Sequence, residues 1–420
     1  MACFLRSASK TFKTPQKEVI NTMIRDPESP DQNWGATLFS CGFRPFFLLG
    51  PLYGILILFY WAGFLSAKFP APPSSMDALL WHKHEMFFGF VGAILGGFLL
   101  TAVQNWTKKT SLRGGWLAFA VAAWLLGRFS IFFSVHLNPI LVLSLDSLFL
   151  LLVIEGVARP ILLAGNRRNL FVPMLLFCLF ASNLLFHLEL HYDLGLELHR
   201  ILDGAQAIIV IFLVVIGNRV IPYFTRSAFP GLELRKFPML EIPVHFALFS
   251  WALVSVFSNL TWLHALVGFL CSIGLLTKIC FWKTSKILSN PMLGILHLGY
   301  FLLPIGFFMD ACLHSGLWSQ KGLTVHTFMA GSLSLLILGM ITRVSLGHTA
   351  RPIQADSWMK TSFLCMIAAL IFRVILPLIK PETLSTFLSL SALFWILSFG
   401  IFLVKFFPIL TSARLDGKPG

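Results

Sequence analysis

Long apolar runs recur along most of the chain, each about 20 residues long and separated by short polar segments. An α-helix of this length crosses the hydrocarbon core of a bilayer, which is roughly 30 Å thick. The pattern therefore predicts an all-α fold, a polytopic membrane bundle of about 12 transmembrane helices. The predicted spans are Phe43–Leu65, His84–Gln104, Trp116–Val135, Pro139–Leu163, Phe171–Leu188, His199–Gly217, Leu240–Ser258, Trp262–Phe281, Met292–Leu313, Leu323–Ile341, Trp358–Ile379 and Leu384–Phe407.

The polar segments at the two ends of the chain set the predicted domain organisation. Residues 1–39 are polar and mixed in charge, and we predict a disordered cytoplasmic tail there. Residues 40–409 are predicted to form a single twelve-helix transmembrane domain. A short cytoplasmic C-terminal tail is predicted at residues 410–420.

The charge of the chain changes the predicted topology but not the predicted fold. Hydrophobic residues make up 57% of the chain and charged residues 12%, while the formal net charge is +14. The basic residues lie between apolar runs and do not cluster on one amphipathic face, so no nucleic-acid partner is expected. Most of them fall in alternate loops, which predicts that both termini face the cytoplasm. The scattered cysteines include no CxxC pair and no CxxCH motif, so c-type haem, iron–sulfur and zinc-ribbon sites lack a local signature.

The densest polar cluster inside an apolar run is WHKHEM, residues 81–86. His82, His84, Glu85 and Met86 bring two imidazoles, a carboxylate and a thioether together, and polar groups in a membrane span are usually functional. On a helix the two histidines would point to nearly opposite sides, whereas on an extended segment they would share one side. They could therefore serve one centre or two. Small residues at helical spacing predict that Glu85 faces protein: Gly89, Gly92 and Gly96.

Polar stripes also follow the fifth and sixth predicted spans. The fifth span carries Asn183, His187 and His191 at i, i+4 and i+8. The sixth span begins with a second stripe, formed by His199, Asp203 and Gln206. We expect both stripes to face a common interior site, where Asp203 could orient an imidazole. An interhelical hydrogen-bond network without metal is the alternative.

The remaining histidines divide between the two sides of the predicted bundle. His326 begins the tenth span, on the same outer side as WHKHEM and both polar stripes, which favours a ligand role. His348 falls on the inner, cytoplasmic side. Three outer histidines have no polar neighbours and are interpreted as interfacial residues: His136, His264 and His314.

Two arginines fall inside predicted spans, in the outer half of each. Arg128 and Arg373 cannot lose their charge, so each needs an anionic partner in the bundle. Glu85 or Asp203 would serve, and structural ion pairing is as good an explanation as ligand binding.

Six motifs together resemble the NnrS family, over about Ser40 to Lys405. They are FRPFF at residue 43, WHKHEM with the following FGF and GFLLTAVQNWT, GNRVIPYFTR at residue 217, LHLGY at residue 296, HTFMAGS at residue 326 and RVSLGHTARP at residue 343. The chain departs from the expected pattern at Gln104, Asn218 and Ala350, where Pro, Gly and Gly are expected. The resemblance implies a bacterial inner-membrane protein that contains haem and copper and is linked to nitric oxide and nitrosative stress.

The resemblance also suggests ligands. The family's His-x-His-Glu-Met falls on His82 to Met86, its tenth-span histidine on His326, and its late GHT histidine on His348. Since haem b needs ligands from two helices, we expect His84 and His326 as the axial pair.

Other outer residues are the expected partners of that haem and of copper. Copper is expected at His82, His187 or His191. Arg128 and Arg373 would suit the haem propionates.

Three functions remain open from sequence. The first is a haem–copper protein that binds or turns over nitric oxide or a related nitrogen oxide, which would make it an oxidoreductase with an unknown electron donor. The second is a transporter or metal-handling protein whose polar stripes line a substrate path, with a broken helix near Pro222. The third is a sensor or assembly factor that binds haem without turnover.

Overall fold

The computed structural model describes residues 34–232, 234, 238–282, 287 and 289–418. The described residues are 81% helical and contain no strand. Among these residues, twelve helices are long and apolar enough to cross a membrane, which confirms the predicted fold class. Numbered α1 to α12, they are Phe43–Leu65, Ala78–Thr107, Gly115–Phe132, Pro139–Leu163, Arg167–Tyr192, Leu198–Ala228, Pro238–Phe257, Thr261–Cys280, Pro291–His314, Lys321–His348, Ser357–Ile379 and Pro381–Thr411. A short helix, Trp34–Leu38, precedes α1, and most of the predicted N-terminal tail lies outside the described residues.

Helix α2 begins six residues before its predicted start at His84. Asp77 caps it, since its carboxylate accepts hydrogen bonds from the backbone amides of Leu79 and Leu80, both at 2.9 Å. The polar residues His82 and Lys83 lowered the hydropathy of this first turn, and the sequence pattern therefore missed it. The WHKHEM segment is helical throughout.

Helix α6 continues to Ala228, well beyond its predicted end at Gly217. Pro222 lies inside this continuous helix, so the broken helix of the transporter hypothesis is wrong. A proline is tolerated in a membrane-spanning helix where neighbouring groups accommodate the backbone carbonyl that it leaves free. The charged residues of GNRVIPYFTR hid this last part of the helix from the hydropathy pattern.

Helices α2 and α10 are the most enclosed of the twelve, with 78% and 72% of their most apolar windows buried inside the protein. Helix α2 packs against α1, α4 and α6, α10 packs against α9, α11 and α12, and α12 packs against α1. Arg44, at the start of α1, donates hydrogen bonds to the carbonyls of Leu410 and Ser412 at 2.8 and 2.7 Å. The two ends of the transmembrane region therefore lie on the same side. The starts of α2, α8 and α10 and the ends of α5, α9 and α11 lie at the opposite end.

Candidate functional site

The two histidines of WHKHEM face different surroundings. Because the segment is helical, His82 and His84 point to nearly opposite sides of α2. His82 stacks on Trp61 with ring centroids 4.4 Å apart and lines a cavity. His84 is fully buried and faces a network of polar side chains on the other side of the helix. The structure thus favours two centres over one.

Both ring nitrogens of His84 have partners in this network. Its Nδ1 lies 2.8 Å from Glu85 Oε1, and its Nε2 lies 3.0 Å from Asn183 Oδ1. Nε2 is also 3.4 Å from Asp146 Oδ2. The side chains of this network are buried and are not in contact with lipid: His84, Glu85, Asp146 and Asn183.

Arg128 connects the two carboxylates of the network. It donates to Glu85 Oε1 at 2.7 Å and also to Asp146 Oδ1. The Tyr53 hydroxyl donates a further bond to Glu85. This guanidinium is therefore neutralised by protein, as the predicted ion pairing allowed. The propionate role predicted for it would require replacing these bonds.

Gly89 explains how Arg128 comes so close to α2. A Cβ added at Gly89 would lie 2.7 Å from Tyr53 Cε1 and 3.1 Å from Arg128 Nη1. Trp124 on the same side donates to the Gly89 carbonyl at 3.1 Å. The glycine stripe that was predicted to face protein does so, and at this position it makes room for a charged side chain.

Asp146 is the centre of the network and was missed by the sequence analysis. Besides Arg128 it accepts a hydrogen bond from Asn183 Nδ2 at 2.7 Å, and His187 Nε2 lies 3.0 Å away. His84, Asp146 and His187 each place one potential ligand atom within 4.8 Å of the others. The available signal was a carboxylate inside the fourth apolar run, comparable to the arginine inside the third.

On the opposite side of α2 lies a cavity of about 460 Å³. Its walls are largely apolar, and this volume is within the range of roughly 300–1,000 Å³ that is typical of ligand and cofactor sites. Six side chains with metal-binding or anion-binding chemistry line it: His82, Lys83, Met86, His326, Met329 and Arg373. They come from α2, α10 and α11.

Several polar atoms of this cavity lack the partners that the network provides. The buried Nδ1 of His82 has no hydrogen-bond partner. Arg373 Nη2 lies 3.1 Å from both ring nitrogens of His326, and no carboxylate among the described residues pairs with Arg373. His326 Nδ1 is 2.7 Å from the Gly322 carbonyl, so a hydrogen on Nδ1 leaves the lone pair on Nε2. An apolar cavity with unpaired imidazole nitrogen and unpaired positive charge fits an anionic, metal-containing ligand.

The backbone around the cavity is also unusual. Helix α2 widens into a π-helical segment at Glu85–Val91, directly after WHKH, and α10 does so at Thr327–Leu333, directly after His326. A third π-helical segment, Ile371–Ile375, surrounds Arg373 on α11. Such segments are rare in α-helices and occur frequently at functional sites.

His187 and His191 form one stripe on α5, as predicted. His187 Nδ1 and His191 Nε2 are buried and have no hydrogen-bond partner. The other nitrogen of His187, Nε2, lies 3.0 Å from Asp146 Oδ2. Metal-binding histidines commonly have such a carboxylate contact on the nitrogen that does not bind the metal. His187 and His191 therefore each have a buried nitrogen that is available to a ligand.

The stripe predicted on the sixth span does not reach the site. His199 is exposed, and Asp203 pairs with Lys321 at 3.1 Å near the surface. Helix α6 starts only at Leu198, and its first turns therefore lie at the edge of the bundle. Asp203 orients no imidazole. His348 ends α10, about 33 Å along the helix axis from His326 at 1.5 Å per residue, and packs against Phe43.

Comparison with known proteins places the chain in a family. A comparison with curated proteins gives no match. The family model described as NnrS protein matches residues 37–414, which is nearly the whole chain and slightly more than the six motifs covered. The resemblance found in the sequence is thereby confirmed, and the chain belongs to the NnrS family.

Proposed function

We propose that this protein binds haem b and copper in the bacterial cytoplasmic (inner) membrane and acts in the response to nitric oxide. Both termini would face the cytoplasm, since most basic loop residues lie on that side. The site end of the bundle would then face outward. The family and the chemistry of the side chains support the proposal, and the cavity between α2, α10 and α11 carries it.

For the haem ligands we propose His82 and His326, in place of the predicted pair of His84 and His326. Both line the cavity, they come from different helices, and His82 Nδ1 has no other partner. Both nitrogens of His84 are bound by Glu85 and Asn183 of the network, whereas among the described residues His326 Nε2 contacts only Arg373, which lines the same cavity. Haem bound by two imidazoles would suit the two sides of such a cavity.

The other side chains of the cavity would hold the cofactor in place. Arg373 would bind an anionic propionate, because no described carboxylate neutralises it. Trp61 fixes the His82 ring by stacking, and Met86 and Met329 add adaptable apolar walls. Bound haem would supply a redox-active iron atom to which nitric oxide could coordinate in place of one of the two imidazoles, while the apolar walls exclude water.

We propose that copper binds to His187 and His191. They are one helical turn apart on α5, and each has a buried nitrogen without a partner. Neutral imidazole is a preferred ligand of copper. Asp146 would hold the His187 ring in position through its 3.0 Å contact.

The first experiment is an optical spectrum of the detergent-purified protein, oxidised and reduced, with metal analysis and with nitric oxide added. We expect a b-type haem spectrum that shifts with nitric oxide. His82→Ala and His326→Ala should lose most of the haem, whereas His84→Gln and the exposed His136→Ala should retain it. His191→Gln should lose copper and keep haem.

Two outcomes would contradict these assignments. Loss of haem in His84→Gln with full retention in His82→Ala, at equal amounts of monodisperse protein, would restore the predicted axial pair. A colourless, copper-free protein from cells supplied with haem and copper would exclude the cofactor proposal itself.

A further inference from the structure

A second cluster of metal-binding side chains lies in the other half of the bundle, at the start of α8 and the end of α9. It consists of His264, Asp310 and His314. None of the three lines the haem cavity or contacts the network around Asp146. The sequence predicts both histidines to be interfacial residues without polar neighbours, because Asp310 is distant from His264 in the chain.

The three side chains lie close together. The rings of His264 and His314 stack with centroids 3.5 Å apart and an interplanar angle of 17°. Asp310 Oδ2 lies 3.0 Å from His264 Nε2, and Asp310 Oδ1 lies 3.7 Å from His314 Nδ1. One potential ligand atom from each residue falls within 4.8 Å of the other two.

His264 is the residue whose bonding is incomplete. Its exposed fraction is 7%, and its Nε2 has no hydrogen-bond partner despite the nearby carboxylate, because the directions do not fit a hydrogen bond. Two ligands of one tetrahedral zinc ion, at bond lengths of 2.0–2.1 Å, lie about 3.3 Å apart. The separation between His264 Nε2 and Asp310 Oδ2 is close to that value.

Neighbouring groups hold the other two side chains in orientations that suit metal binding. Trp251 Nε1 donates to Asp310 Oδ2 at 2.7 Å and so fixes the carboxylate. His314 Nδ1 lies 2.9 Å from the backbone carbonyl of Asp310, and a hydrogen on Nδ1 leaves the lone pair on Nε2. Metal-binding histidines commonly have this second contact.

We propose that His264, Asp310 and His314 bind a divalent transition-metal ion of the zinc class, at a site separate from the haem and copper sites. Two imidazoles and one carboxylate are an established ligand set for zinc with one coordination position left for water or another small ligand. The His314 side chain is 26% exposed, which gives the ion a way in from the outer face. The proposal does not depend on the proposed function.

The test uses the full-length protein in detergent, treated with chelator and then titrated with Zn²⁺ by calorimetry and with Co²⁺ by visible absorption. His314→Gln and Asp310→Asn should each bind one equivalent less than the unchanged protein, or bind it at least 100-fold more weakly. The exposed His136→Gln is the matched control and should bind normally.

Trp251→Phe removes the hydrogen bond that positions Asp310 and leaves all three proposed ligands in place. Losing its hydrogen bond to Asp310 should weaken Zn²⁺ binding about 10-fold to 100-fold, the usual effect of second-shell changes. Equal zinc stoichiometry and affinity in His314→Gln, Asp310→Asn and the unchanged protein would overturn the proposal. Absence of any Co²⁺ absorption band in the unchanged protein would do the same.

Discussion

Two polar regions at the same end of the bundle contain similar side chains but differ in how completely those side chains are paired. The network around Asp146 joins its carboxylates to Arg128 and holds both nitrogens of His84. The cavity beside His326 also contains histidine and arginine, but His82 Nδ1 has no partner and Arg373 has no carboxylate. Helix α2 contributes to both regions from its two sides.

The difference indicates which region stabilises the fold and which binds a ligand. A buried polar group is tolerated when it is paired, and its cost is high when it is not. The network meets this condition for both carboxylates and for His84, although Arg128 Nε and His187 Nδ1 have no partner, and it joins α1 to α5. The cavity does not meet it within the described residues, so a ligand is the expected source of the missing contacts.

The largest effect is expected from breaking the network. Asp146→Ala should lower the free energy of unfolding by about 3–5 kcal/mol, because Arg128 loses a buried anionic partner. Asp203→Ala is the matched control, since its contact with Lys321 is near the surface and should contribute about 0–1 kcal/mol. Unfolding by SDS titration measures both.

A small effect of Asp146→Ala, equal to that of Asp203→Ala, would mean that the buried network does not stabilise the bundle. The contrast with the cavity would then lose its basis.

The next prediction distinguishes Arg373, which is proposed to bind haem, from Arg128, which is bound by protein carboxylates. Arg373→Gln should weaken haem retention about 10-fold to 100-fold, because a charge-assisted hydrogen bond contributes about 1.5–3 kcal/mol. It should leave the free energy of unfolding of the haem-free protein nearly unchanged. Arg128→Gln should instead lower the free energy of unfolding and leave haem retention nearly unchanged. Haem transfer to apomyoglobin measures retention, and SDS titration measures stability. Similar behaviour of the two variants would contradict a ligand role for Arg373.

Sequence alone predicted the fold well, because hydrocarbon thickness and helix rise fix the length of a span. It failed at helix ends that carry polar residues, which lower the local hydropathy. The first turn of α2 and the last turns of α6 were both missed for that reason. Those turns matter, since the helical start of α2 is what separates His82 from His84.

The candidate site was predicted only in part, because its residues come together from helices distant in sequence. WHKHEM, His187 and His326 stood out by local density or helical spacing. Asp146 did not, since a single carboxylate becomes meaningful only when Arg128 and Asn183 are seen beside it. The pairing of side chains across helices depends on rotation and tilt, which hydropathy does not specify.

A smaller loss of stability is expected at Gly89, where the absence of a side chain lets Arg128 approach α2. Gly89→Ala should destabilise the protein by about 1–3 kcal/mol, because the new methyl group would clash with Tyr53 and Arg128. Gly400→Ala in α12 is the control, since a Cβ there meets no atom within 4 Å. SDS titration should show a loss only for Gly89→Ala, and equal effects would mean that the close approach is not needed.

The smallest effect has the opposite sign and lies at the other end of the bundle, where glycine was expected and alanine is present. Ala350 has a φ of 58°, a left-handed conformation that costs an L-residue roughly 1–2 kcal/mol and glycine almost nothing. Ala350→Gly should therefore stabilise the protein by up to about 1 kcal/mol, after the larger unfolded-state entropy of glycine is subtracted. Ala368→Gly, inside α11, should instead destabilise it by about 0.5–1 kcal/mol. If both substitutions destabilise equally in SDS titration, the strain at residue 350 does not affect stability, and only the site end of the bundle is sensitive to the presence of a single Cβ.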